Sequence, residues 1–307
     1  MSSSNLPNTC HICDTSDGKR SGTSKLFVSS AVAVVIALAL LWPSMPLSAT
    51  NTALGPVLQQ AQQHGVLKVA LRSYSRPSLP GEPLPPEPDS FDWTLAQWLG
   101  QQLQVKIEAV PANEANEADV VLSGITEEHP AVDQKTPSGY ADEALQLVAL
   151  KKQLPQWQGF APGGWHLLLP AFLKSDATSP TVCAGTGVVS AAALQSRGLQ
   201  PMIAPSAIHA VSDFLAGKCD LLAESPATLD RLLTQDSWRF YERLGGSFST
   251  QGKAHITLRT PDAQSLQWLQ QTLRQWRSSG QQQRALASRV STIALEASLL
   301  EDGAICH

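Results

Sequence analysis

The sequence predicts an α/β fold of two lobes, each a mostly parallel sheet flanked by helices. Three observations carry this. Short runs of Val, Leu, Ile and Ala alternate with segments of helical spacing, the pattern of parallel strands covered on both faces. The alternation comes as two series that meet near residue 150. The chain of 307 residues, 43% hydrophobic and 16% charged, is also long enough to bury two cores.

The elements follow in order. Residues 1–25, rich in Ser, Thr and Asn, are expected to be a disordered cytoplasmic leader. Its Cys10 and Cys13 lack a second pair of metal ligands and are not read as a metal or redox site. An uncharged run follows, LFVSSAVAVVIALALLW at 26–42, with Lys19, Arg20 and Lys25 ahead of it and Pro43, Pro46, Ser48 and Ala49 behind. Residues 26–49 therefore read as a secretory signal peptide cleaved after Ala49, or as a retained membrane anchor. Both place the rest of the chain in the periplasm or another extracytoplasmic space.

Residues 50–64 are a lead-in with a short helix, and VLKVALRS at 66–73 reads as a buried strand. Residues 76–89 hold six prolines, which exclude regular structure. Residues 91–103 place Leu95, Leu99 and Leu103 on one helical face, and strands follow at 104–110, 118–123 and 145–152. Residues 153–180 read as irregular, with the WHLLLPAFL segment at 165–173 assigned to the core of the second lobe or else to an exposed contact patch. The second series runs strand 181–185, helix 190–197, strand 201–204, helix 206–216 and strand 219–223. A strand at 254–258 and a helix at 263–277, lined by Leu266, Leu269, Leu273 and Trp276, close the fold. Lobe 1 is thus expected at 65–148 plus 250–290, lobe 2 at 149–249, and a tail at 291–307 carrying the odd Cys306 as a free thiol.

Function classes can be excluded on the same page. A formal charge of −4 without like-charge runs offers no field for nucleic acid. The sequence has no HExxH, GxSxG or GxxxxGK[ST] motif, and nothing in it implies a cofactor. Glu127, Glu128 and His129 share one short loop and read as a solvated turn rather than a metal site. In an open parallel sheet, ligands settle outside the carboxyl ends of the strands. The loops to watch are therefore 72–77, 123–126, 185–190 and 224–226.

Six segments carry a resemblance: GVLKVALRSYSRP (65–77), SFDWTLAQWLGQQLQVKIEAV (90–110), ADVVLSGIT (118–126), TVCAGTGVVSAAAL (181–194), SAIHAVSDFLAGKCDLLAES (206–225) and GKAHITLRTPDAQSLQWLQQTLRQWRSSG (252–280). In this order they resemble the extracellular solute-binding proteins of family 3, the polar amino-acid ABC transporter substrate-binding proteins of the type II periplasmic-binding-protein fold. The resemblance implies a monomer that captures a small polar solute between its lobes for an ABC permease, without catalysis. It places ligand contacts at Ser123, Thr126, Thr186, Gly187 and Glu224, and a disulfide between Cys183 and Cys219.

One departure matters. The family's carboxylate-clamping Arg has no counterpart, because no Arg stands between Arg76 and Arg197, and Val188 and Val189 replace the hydroxyls that follow its TG pair. A buried carboxylate needs a cation. Arg72 and Arg76 are the candidates to supply one from another direction, with Tyr74 and Trp93 as an apolar wall. The departure also leaves open a degenerate, membrane-tethered interaction module, or a dehydratase of cyclic acids on the same fold.

Overall fold

The computed structural model describes residues 53–74, 86–124, 132–141, 144–161, 179–249 and 253–304, with the backbone alone for 298–304. The leader, the apolar run at 26–42, the 165–173 segment and Cys306 lie outside the described residues.

The first lobe is built around β1 (Val66–Leu71), whose aliphatic residues are buried from Val69 to Leu71. Helix α1 (Pro56–His64) leads into it and stops at Gly65, which adopts a left-handed φ of 70°. Strands β4 (Lys106–Pro111) and β5 (Val120–Leu122) pair with β1 in parallel, and β12 (Ile256–Leu258) pairs antiparallel with β5. The order is β12–β5–β1–β4. Two short strands, β2 (Ser73–Tyr74) and β3 (Glu87–Pro88), pair beside the exit of β1. Helix α2 (Ser90–Leu103) starts at Asp89, whose carboxylate accepts the Phe91 and Asp92 N–H groups. Its Leu95, Leu99 and Leu103 face the sheet in one buried row, in a core that includes Leu67, Val120 and Trp276.

The second lobe holds β6 (Ala144–Leu150), β7 (Thr181–Gly185), β8 (Gln200–Ala204), β9 (Leu221–Glu224), β10 (Tyr241–Arg243) and β11 (Phe248–Ser249). Its order is β10–β6–β9–β7–β8, with β11 also on β6; β7 runs parallel to both neighbours and β6 antiparallel to its partners. A short helix α3 (Leu154–Trp157) stands inside the segment read as irregular. Helices α4 (Ala191–Gln195), α5 (Ala207–Leu215) and α6 (Pro226–Leu232) begin at Ser190, Ser206 and Ser225, each hydroxyl accepting a first-turn N–H. Cys183 and Cys219 form a disulfide with Cα atoms 5.8 Å apart, tying β7 to the turn before β9.

The chain passes between the lobes at 141–144 and at 249–254: Ala141 still bridges Ala254 on the first-lobe side, while Ala144 already pairs with Ser249 on the second. Residues 144–148, assigned to lobe 1 from sequence, therefore pair in the second sheet.

Helix α7 (Ala263–Ser278) starts at Asp262, which caps it and also accepts the Val57 N–H of α1. After Gly280, at φ 74°, the chain turns directly into α8 (Gln281–Ala304). Residues 291–304, read as tail from sequence, are the second half of this helix. Ala285 belongs to the first-lobe core, and Ile293, Ala294 and Ala297 to the second. Among the described residues no helix is long and apolar enough to cross a membrane.

Candidate functional site

The carboxyl ends of β1, β5, β7 and β9 all open on the contact between the lobes. Arg72 leaves β1 and is only 13% exposed at its side chain. Its Nε and Nη2 donate to both oxygens of Asp92, at 2.7 and 3.0 Å, a two-pronged pair against a carboxylate with no exposure. Its Nη2 also lies 3.6 Å from Asp89, and its Nη1 donates 3.2 Å to the Thr186 carbonyl of the second lobe. The guanidinium expected to receive a ligand carboxylate is thus held by two acids of its own lobe and reaches across to the other.

Asp89 is shared. On one side it meets Arg72; on the other it accepts the Arg289 Nε–H of α8 at 3.2 Å. Arg289 Nη1 in turn lies 3.9 Å from Glu224 Oε1, at the end of β9. Asp92, Arg72, Asp89, Arg289 and Glu224 form a chain of alternating charge from one lobe to the other. Burial pushes the Asp89 carboxyl up, but the cations Arg72 and Arg289 outweigh it and bring it down to about 2. For Asp92 burial prevails over Arg72 and raises the pKa. Burial alone would lower Arg72, yet Asp92 and Asp89 hold it well above its usual value.

The loops after β5 and β7 touch. Gly124 donates its N–H to the buried Tyr140 hydroxyl oxygen at 2.7 Å. A Cβ on Gly124 would lie 2.7 Å from the Gly187 carbonyl, and one on Gly187 would lie 2.6 Å from Arg72 Cδ. Burial, and then the charge of Asp92, push the Tyr140 phenol well up, so it stays neutral. Beside Arg72, Gly124, Gly187 and Arg289 lies a cavity of about 30 Å³, room for one or two waters.

The residues singled out from sequence fall as follows. Arg72, Ser123, Thr186, Gly187 and Glu224 all reach this contact, though Thr186 spends its hydroxyl on the Ala204 carbonyl at 2.9 Å. Ser123 turns its carbonyl toward Gly187. Tyr74 is buried in the second-lobe core, edge-on to His209. Trp93 packs against the first-lobe core. Glu224 is buried, accepting the Ser225 N–H at 2.8 Å. Arg76, Thr126 and the 127–129 trio lie outside the described residues. Sequence reasoning missed Asp89, Asp92 and Arg289. Asp92 was on view in the SFDW segment, and Arg289 at helical spacing from Ala285 and Ile293.

No protein-family model matches the sequence, and no curated protein is similar to it. Solved structures are. An amino-acid ABC transporter substrate-binding protein, AbpA of Streptococcus pneumoniae bound to L-arginine, superposes with a TM-score of 0.53 at 14% identity, over 77% of this chain and 99% of that one. The ancestral amino acid-binding protein AncCDT-1, described as a precursor of cyclohexadienyl dehydratase, gives 0.50 at 17% identity, over 76% and 98%. At these identities the likeness is one of fold: the chain has the two-lobed α/β fold of amino-acid ABC transporter substrate-binding proteins.

Proposed function

We propose that the chain is an exported substrate-binding protein that captures a small polar solute, an amino acid or a related compound, between its lobes for an ABC-type permease. One observation carries this reading: strand ends from both sheets converge on one contact lined by charged and backbone polar groups of both lobes. Such a junction is where ligands settle in open α/β sheets. Two chain crossings join the lobes, the arrangement of a hinge. A solute that touches both lobes would bias the closed form. Arg72, Ser123, Thr186, Gly187 and Glu224 are the proposed contacts, together with Tyr74, Arg76 and Thr126. The solute bound by the similar S. pneumoniae protein, L-arginine, belongs to the same class. Export rests on the apolar run at 26–42.

A thermal-shift screen of the full chain in detergent, against amino acids, organic acids, polyamines and sugars, tests the proposal. A ligand at a hundred times its Kd stabilises by about 2.7 kcal/mol. A hit lost in Arg72→Ala or Glu224→Ala supports it. A second reading, an interaction module without transport, is favoured by the charge chain that fills the contact; silence across the panel would select it.

A further inference from the structure

Among the described side chains of helix α8, Arg289 is the one charged residue that is buried. Ala285, Arg289, Ile293 and Ala297 recur every fourth residue and are all buried, so they share one face. The first packs in one lobe and the last two in the other. Arg289 therefore sits where the helix passes over the junction. Its Nε donates to Asp89 of the first lobe, and its Nη1 faces Glu224 of the second.

Glu224 supplies an independent observation. Its side chain is 1% exposed, and while Oε1 takes the Ser225 N–H, Oε2 meets no hydrogen-bond donor among the described residues. A carboxylate buried in this way demands a cation. Among the described residues Arg289 faces it, with Nη1 3.9 Å from Oε1.

We propose that Asp89 and Glu224 form a guanidinium subsite, and that Arg289 is its built-in occupant, making α8 an intramolecular strap across the two lobes. Two carboxylates approaching from opposite lobes suit a planar cation that donates in more than one direction, a guanidinium or alkylguanidinium. Because the occupant is part of the chain, closure needs no diffusible cation. Opening requires α8 to release one lobe. The strap does not depend on any solute being captured, so it can stand where the solute reading fails.

The test is Arg289→Ala in the full chain, with thermal unfolding and hydrogen exchange of the peptides that hold Gly124 and Gly187. The strap predicts a fall in Tm of about 6 °C or more, and faster exchange at both loops. Ethylguanidinium at low millimolar concentration should reverse both effects, and sodium chloride at equal ionic strength should not. Unchanged Tm and exchange, or recovery no greater than with sodium chloride, would overturn the proposal. Should Arg289→Ala fail to fold, Glu224→Gln decides, since it removes only the second-lobe carboxylate. Faster exchange at the two loops supports the strap, and wild-type exchange refutes it. A silent solute screen alongside guanidinium rescue would sink the receptor reading and leave the strap intact.

Discussion

Asp89 does three jobs with two oxygens. It caps α2, anchors Arg72 and receives Arg289. Its pKa near 2 lies below the value of about 3.9 expected when unfolded. The folded state therefore holds fewer protons between those values. The stabilisation, about 2–3 kcal/mol, is complete above about pH 5 and is lost as the pH falls through 2. Asp92 has the opposite sign, because its pKa is raised: its contribution is present at low pH and fades as the pH rises. The clean reading is a difference. Asp89→Asn keeps a capping side chain but no charge, so denaturation at a series of pH values should show lower stability at pH 7 and a gap to wild type that closes toward pH 2. A gap constant across that range would mean that the charge is not what matters. At this scale the sequence was informative about place: Gly187 and Glu224, expected at the exits of their strands, both lie at the contact between the lobes. It was silent on Asp89, whose ion pairs join residues 17 and 200 positions away in the chain.

Elements were legible in proportion to their apolar signal. Strands β1 and β7 and helices α2 and α7 bury Leu, Val or Trp at regular spacing, and each begins and ends within a residue or two of its expected bounds. Helix α8 escaped because half of its described buried residues are Ala and one is Arg, a pattern too weak in hydrophobic contrast to separate a helix from a polar tail. Strands β10 and β11 are too short to carry a period. The disulfide is the element-scale feature with the plainest consequence. Closing a loop over a separation of 36 residues restricts the unfolded chain and contributes about 4 kcal/mol. Cys183→Ala with Cys219→Ala should lower the denaturant midpoint accordingly without changing the fold, and dithiothreitol should do the same to the wild type but not to the double variant. Equal response of the two proteins to reductant would show that the bridge contributes nothing.

For the whole molecule, the contact between lobes depends on two glycines with no room for a side chain. A Cβ at Gly187 would meet Arg72 Cδ and Nη1 at 2.6 Å and the Ser123 carbonyl at 3.0 Å. The guanidinium cannot step aside cheaply, because Asp92 grips it from both oxygens. The carbonyl is backbone and moves only with its lobe. Gly187→Ala should therefore act as a wedge. Part of its effect would be local, since Gly187 sits at φ 74° and a Cβ there costs about 1–2 kcal/mol in any left-handed position. Gly217 separates the two effects: it has φ 72° in the same lobe, and an added Cβ meets nothing within 4 Å. Gly217→Ala should lower Tm through strain alone and leave hydrogen exchange at Gly124 unchanged. Gly187→Ala should lower Tm further and expose the Gly124 amide, which is paired with Tyr140 beside the contact. If both variants lose the same stability and neither changes that amide, contact at Gly187 is not what keeps the lobes together, and closure would have to be credited to the charges around Arg289 alone.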